Sequence, residues 1–322
     1  MLKKYGIQKL YIFMAILSWL VLMIAEYFYF NTGEMAIAHY VVFGIRALLL
    51  NIFILSVFLF YKLTIGSFEG DGFNDLLWKS FVTGLIVTII LLINNVVNQQ
   101  LTINLPGNEA TIDYLSYHLT IAITIIFVSS NFFTFKRMIL YQKSTEISNL
   151  WKIFEYLIYV CLVFNFLGKE NSDILFSLSA IPILVMGIIL ALNLKWIAYL
   201  NFRQKWKSIL YLAALLIFNI LFIRFIFKHS TDYQIITDLA DNLFVLSLFA
   251  FICFYGLFSI LVLLFNLPTS SVFEQKFGEV INLQKLSKSS QMGKNEGEIY
   301  ELLIDSCSGT FVASAAVLEI FK

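Results

Sequence analysis

The sequence predicts an all-α protein, a polytopic bundle of about eight membrane-spanning helices, and three observations lead to that prediction. Hydrophobic residues make up 60% of the 322-residue chain and charged residues only 13%. The mean hydropathy of +0.83 is far above that of soluble domains. Long apolar runs recur along the chain, whereas the strands of a membrane barrel alternate polar and apolar residues.

Eight apolar runs have about the 20 residues that a spanning helix needs. The first is too long for a secretion signal and has no cleavage site, so we interpret it as a retained anchor. The fifth is the weakest, because it contains Glu155 and would also fit a helix lying along the membrane interface. Without it, seven spans would remain and everything downstream would be reversed. The runs cover residues 10–30, 37–61, 77–97, 114–135, 149–168, 174–199, 208–227 and 242–266.

Lysine and arginine are unevenly divided between the two sides of this arrangement. With the N-terminus inside, the inner segments hold most of them, and residues 94–114, which contain neither, fall outside. Because cytoplasmic loops are enriched in positive charge, the sequence predicts that both ends lie in the cytoplasm and that the chain lies in the inner membrane. The lipid bilayer is the expected partner, and a net charge of +1 gives no indication of nucleic-acid binding.

Two charged residues lie inside the first two apolar runs, Glu26 and Arg46. An ionisable group in hydrocarbon is expensive and usually has a partner or a function. The two positions have compatible depths below the outer face, so we expect a structural ion pair that holds the first two helices together. The alternative is that Arg46 binds an anionic ligand.

The three histidines, His39, His118 and His229, all fall at or near the outer face. Imidazole groups bind metals and respond to pH, so a shared metal or pH-sensing site is one hypothesis. The three residues lie on separate elements without the i, i+4 spacing that would bring them together, and we therefore interpret them as separate interface residues. The sequence assigns no metal, cofactor or catalytic residue, because it contains none of the common phosphate-binding, hydrolase or kinase motifs.

Asparagines and prolines within or next to the apolar runs also give predictions about how the helices pack and where they end. Asparagines inside the apolar runs, including Asn94, Asn131 and Asn219, are expected either to form hydrogen bonds between helices or to lie at the membrane interface. Pro182 falls inside a span, and Pro268 is expected to end the last one.

The composition changes after Pro268, where the chain becomes soluble in character. The stretch SSVFEQKFGEVINLQKLSKSSQ predicts a linker helix, EIYELLIDSCSGTF predicts a second helical segment, and VASAAVLEIF predicts a strand. This succession resembles the junction in bacterial membrane-anchored signalling proteins with a cytoplasmic GAF domain, followed by a SpoIIE-like, PPM-type protein serine/threonine phosphatase domain. The resemblance covers about residues 264–322.

The resemblance implies three parts: a transmembrane sensory or anchoring domain (1–267), a cytoplasmic linker helix (268–294) and the truncated start of a GAF-like α+β domain (295–322). The chain would then be the input module of a longer protein, and it would regulate a phosphatase output that these residues lack. A divalent metal would belong only to that missing phosphatase domain. A homodimer formed through the linker helix is a further expectation.

A small-solute transporter or a membrane-bound transferase is the alternative function. The size of the membrane part favours it. The scarcity of charges and broken helices inside the membrane opposes it.

Overall fold

In the part of the chain that the computed structural model describes, eight α-helices form a bundle. The described residues are 2–32, 36–65, 72–104, 109–141, 144–163, 169–232, 239, 242–291 and the single positions 297, 300, 301 and 304. For some of these only the backbone is described, including residues 28–32, 36–43, 169–177, 228–232 and 270–275. The helices are α1 (Leu2–Thr32), α2 (Ala36–Ile65), α3 (Phe73–Asn104), α4 (Glu109–Ile139), α5 (Thr145–Cys161), α6 (Lys169–Ala191), α7 (Phe202–Asp232) and α8 (Leu243–Gln291), with a short 3-10 helix, Lys195–Tyr199, between α6 and α7.

Of the helices that the structure describes, seven are long and apolar enough to cross a membrane, and the chain is a multi-pass membrane protein. The expected all-α membrane bundle is confirmed. The exception is α5, which has 17 residues, fewer than the about 20 that a span needs. It covers only part of the fifth apolar run, because it ends at Cys161.

Side-chain contacts show how neighbouring helices run relative to one another. Gln8 of α1 donates a hydrogen bond to the Thr64 hydroxyl of α2 at 3.3 Å, so α1 and α2 are antiparallel. Ser208 of α7 donates to Asn74 of α3 at 2.9 Å, which places the starts of these two helices together. We call the side of the bundle that holds both contacts face A, and the opposite side face B.

The end of α6 lies at face A, although α5 is short. Arg137 near the end of α4 donates to the carbonyl oxygen of Ile65 at 3.4 Å, and Asn193 donates to the carbonyl oxygen of Ile139 at 3.5 Å. The 23 residues of α6 extend about 34 Å at 1.5 Å per residue, so the helix begins near face B. This geometry favours a passage of the chain from face A to face B between α4 and α6, and the sidedness of the segments that follow stays a prediction.

The central helix of the bundle is α4. In its most apolar stretch 83% of the residues are buried, against 17% in α1. Its Phe132 ring packs between Phe58 of α2 and Phe251 of α8, with ring centroids 5.3 Å and 5.5 Å apart. A change in the position of α4 would therefore displace the helices on both sides of it, because a packed core has few voids that could absorb the movement.

The last helix, α8, runs from face B to face A and continues past the membrane. Its Tyr255 ring packs on Phe135 near the face-A end of α4, with centroids 4.6 Å apart. Pro268 lies inside this single 49-residue helix, so the expected break at Pro268 is wrong. A proline removes one backbone hydrogen bond and usually kinks a helix, but a helix that is well formed on both sides accommodates it, and Pro268 is exposed rather than pressed against a neighbour.

The linker helix expected after Pro268 is present as far as Gln291, as a continuation of the last span. Positions 297, 300, 301 and 304 are helical. The expected GAF-like start and its strand otherwise lie outside the described residues.

Candidate functional site

A buried acid and a buried histidine meet between α1 and α4 near face B. His118 Nε2 lies 3.0 Å from Glu26 Oε2, and the two side chains are 0% and 4% exposed. The carbonyl oxygen of His118 accepts a hydrogen bond from Trp19 Nε1 at 3.1 Å. The rings of His118 and Tyr114 pack edge to face, with their centroids 4.5 Å apart. Together these contacts fix the imidazole in one position.

Tyr114 and Arg46 lie beside this pair. The Tyr114 hydroxyl donates to the carbonyl oxygen of Met23 at 2.6 Å, one turn before Glu26 on α1. Arg46 is 3% exposed, and the charges of Arg46 and Glu26 both act on the Tyr114 hydroxyl. We call Glu26, Arg46, Tyr114 and His118 the Glu26 cluster.

The helix register also places Arg46 at the level of Glu26. Because Gln8 lies opposite Thr64 in an antiparallel pair, Glu26 and Arg46 lie equally far from that contact along α1 and α2. The expected depths are therefore compatible. The Glu26–Arg46 ion pair itself stays a prediction, while Glu26 has a partner, His118, that the sequence did not suggest.

Of the three histidines, only His118 has a described side chain, and it is buried between helices. The side chains of His39 and His229 lie outside the described residues. Among the side chains that are described, no group of three or more His, Cys, Asp or Glu residues is placed to hold a metal ion.

The Glu26 cluster brings an acid, a histidine and an arginine together inside the bundle near face B. Charges interact more strongly in such a buried environment than they do in water. The cluster is therefore a candidate site for a small ion that reaches face B.

Tyr117, next to His118 on α4, contacts the chain that leads into α8. The Leu239 backbone N–H donates to the Tyr117 hydroxyl at 3.3 Å, and the Leu239 carbonyl oxygen accepts from the Asn242 N–H at 3.2 Å. Asn242 in turn caps α8, since its Oδ1 accepts from the Val245 N–H at 3.1 Å. One residue of α4 thus lies between the Glu26 cluster and the first turn of α8.

A second group of charges, the Glu155 cluster, lies near face A and consists of Lys62, Lys136, Glu155 and Tyr159. The Glu155 carboxylate accepts from Lys136 Nζ at 2.6 Å and from Lys62 Nζ. Tyr159 donates to Glu155 Oε1 at 3.0 Å and accepts from Lys62 Nζ at 3.3 Å. A single carboxylate, 8% exposed, therefore joins α2, α4 and α5, and two ammonium groups around it leave a net positive charge.

These contacts explain how α5 can be short and still be fixed in the bundle. Lys136 Nζ lies 5.6 Å from the centroid of the Trp151 ring, within the range of a cation–π interaction. At the other end, Asn51 of α2 donates to the carbonyl oxygen of Leu162 at 2.9 Å. The last carbonyl groups of a helix lack partners within it, and Asn51 satisfies one of them inside the bundle.

The position of Glu155 within the fifth apolar run is the sequence signal for the Glu155 cluster. An acid in an apolar run needs a partner. Lys62 and Lys136 directly follow the second and fourth runs, and the fifth run, which contains Glu155, begins at the same face. No such signal pointed to His118, because 92 residues separate it from Glu26.

Three of the asparagines that were expected to link helices do so. Asn94 of α3 donates to the backbone carbonyl and hydroxyl of Ser116 on α4, both at 2.9 Å. Ser80 of α3 donates to Asn131 of α4, and Asn219 of α7 donates to the carbonyl oxygen of Phe249 on α8 at 3.3 Å. These residues hold helices together and are not part of either cluster.

No protein-family model matches the chain. Neither a curated protein nor a solved structure matches it.

Proposed function

We propose that the chain is the membrane input module of a bacterial signalling protein, in which a stimulus at the Glu26 cluster shifts α8 and thereby regulates a cytoplasmic output. The observation that carries this proposal is the continuity of α8. Its 49 residues extend about 73 Å at 1.5 Å per residue, more than twice the roughly 30 Å of the hydrocarbon core. One helix therefore leads from the centre of the bundle to a point well beyond face A.

The packing of α8 supports such coupling. Leu239, in the segment that leads into α8, donates a hydrogen bond to Tyr117, the neighbour of His118. Further along, Phe251 packs on Trp151 and Phe154 of α5, with centroids 5.6 Å and 5.3 Å apart. A packed interface shifts between discrete arrangements rather than deforming continuously, so a change in α4 or α5 would be passed to α8 as a displacement of the whole helix.

The remaining parts of the proposal come from the resemblance of residues 264–322. The output would be a GAF domain with a SpoIIE-like protein serine/threonine phosphatase domain, and only that domain would require a divalent metal. The membrane would be the bacterial inner membrane, with both ends of the chain in the cytoplasm. Two copies would associate through the linker helix at 268–294.

A helical-phase experiment tests the proposal. The chain is joined after Gln291 to a reporter kinase domain whose activity depends on the orientation of the helix that enters it, and one to seven alanines are inserted after Lys276. Each added residue rotates the following helix by about 100° and moves it about 1.5 Å. We expect activity close to the original for four or seven added residues and the largest change for two.

The control series places the same alanines in a flexible Gly/Ser linker between Gln291 and the reporter, where they should have no periodic effect. A second comparison uses Glu26→Gln, which should alter reporter activity, and Glu146→Gln at an exposed position of α5, which should not. Reporter activity that is independent of insert length and of Glu26 would contradict an input function.

A further inference from the structure

A partly open apolar groove lies between α1, α2 and α4. Its volume is about 310 Å³, within the range of roughly 300–1,000 Å³ that is typical of ligand pockets. Ala15 of α1 and Ala122 of α4 line it, together with larger apolar residues. These two residues have the smallest side chains of the lining.

The groove lies at the depth of the hydrocarbon layer and is parallel to the helices. It begins near face A at Tyr11 and Tyr61, about one turn inside the contact between Gln8 and Thr64. It reaches Trp19, roughly 12 Å deeper at 1.5 Å per residue along α1. A ligand in this groove would therefore be elongated, apolar and aligned with the membrane normal, as a lipid acyl chain is.

The positively charged Glu155 cluster lies near face A, as the Tyr61 end of the groove does. Lys62 directly follows the groove residue Tyr61, and its side chain is 39% exposed. Lys62 Nζ lies 3.3 Å from the Tyr159 hydroxyl of the same cluster. Since Lys62 and Lys136 share one carboxylate, one positive charge remains at this end, and positive groups at the membrane surface attract anionic lipid headgroups.

We propose that the groove binds one acyl chain of an anionic glycerophospholipid whose phosphate group lies at Lys62. A zwitterionic lipid offers the same chain, but its headgroup has no net charge to balance the cluster. The site goes beyond the proposed input function, because a lipid held between α1, α2 and α4 is part of the bundle with or without a signal.

Native mass spectrometry of the full chain tests the proposal. The purified protein is incubated in detergent with equal amounts of phosphatidylglycerol and phosphatidylcholine of the same chain length, and the retained lipids are counted. We expect one tightly held lipid, with a preference of about fivefold for phosphatidylglycerol, the effect of one lysine near the headgroup. Lys62→Gln should remove this preference, and Lys62→Arg should keep it.

Filling the groove provides the second arm of the experiment. Ala15→Leu should lower the retention of both lipids on the order of tenfold, because the added side chain takes the place of several buried methylene groups of the lipid. Ala122→Leu fills the same space from α4 and keeps the test decisive if Ala15→Leu does not fold. Ala198→Leu, which adds the same volume at an exposed alanine outside the groove, should behave like the wild type.

Two results would overturn the proposal. Equal lipid retention in the wild type and in both groove-filling variants would show that the lipid is held elsewhere. Equal retention of the two lipids by the wild type would show that Lys62 does not select an anionic headgroup.

Discussion

The carboxylate of Glu26 on α1 and the imidazole of His118 on α4 lie 3.0 Å apart, and the two side chains are only 4% and 0% exposed to solvent. This contact joins a peripheral helix to the central helix of the bundle. A substitution at either residue would therefore alter the attachment of α1 to α4, and through Tyr117 the change would reach the segment that leads into α8.

The Glu26 cluster should be sensitive to the loss of a single charge. Arg46→Met alone is expected to lower the free energy of unfolding by about 3 kcal/mol, because it leaves the buried Glu26 carboxylate without a compensating cation. Glu26→Gln combined with Arg46→Met should be less destabilised, since no charge is stranded. Thermal unfolding in detergent ranks the variants, with Arg224→Met at an exposed position as the control. Identical melting of the single and double variants would show that Glu26 and Arg46 are not partners.

The Glu155 cluster near face A should also be sensitive to the loss of a single charge. Glu155→Gln leaves Lys62 and Lys136 facing each other and should lower the free energy of unfolding by about 3 kcal/mol, at the low end for a buried pair because Lys62 is partly exposed. Adding Lys62→Met should recover part of the loss. Glu146→Gln, on the same helix but exposed, should have no measurable effect. The idea of a charge cluster that fixes α5 would be abandoned if Glu155→Gln melted like Glu146→Gln.

The passage of the chain across the membrane between α4 and α6 can be tested with reporter fusions. Fusions after Tyr141, Lys205 and Gln291 should all report the cytoplasm, and fusions after Asn104 and Asp232 should report the outside, as the distribution of positive charge requires. If α5 instead lay flat on the surface, Tyr141 and Lys205 would report opposite sides. That outcome would contradict both the eight passages and the proposed position of the output.

Close helix packing predicts a contrast between two glycines. A Cβ atom at Gly84 of α3 would lie 2.8 Å from the Phe218 ring of α7, whereas one at Gly44 of α2 would have no atom within 4 Å. Gly84→Ala should therefore cost about 1–3 kcal/mol through overpacking. Gly44→Ala should be neutral or stabilising by up to about 1 kcal/mol, because alanine favours a helix. Thermal unfolding of the two variants side by side checks the prediction, and equal melting temperatures would argue against the close packing of α3 on α7.

Several features of the bundle could be predicted because they depend on residues that are near in sequence. A spanning helix is defined by one continuous apolar run, so the positions of most helices follow from hydropathy alone. Interhelical asparagines such as Asn94 and Asn131 were predictable for a similar reason, since a polar amide within an apolar helix must find a partner on a neighbour. The compatible depths of Glu26 and Arg46 followed from counting residues along two adjacent antiparallel helices.

What the amino-acid sequence determined by itself is the class of the protein, its helices and its membrane environment, because these depend on local hydrophobicity. Only the tertiary structure decided which faces of those helices meet. The spans are apolar on all sides, so the sequence does not indicate how each is rotated about its axis. For that reason the pairing of Glu26 with His118, the grouping of Lys62 and Lys136 around Glu155, and the groove at Ala15 arise only when α1, α2, α4 and α5 pack. The continuity of α8 through Pro268 was likewise decided by the helix on both sides of the proline, which outweighs one missing hydrogen bond.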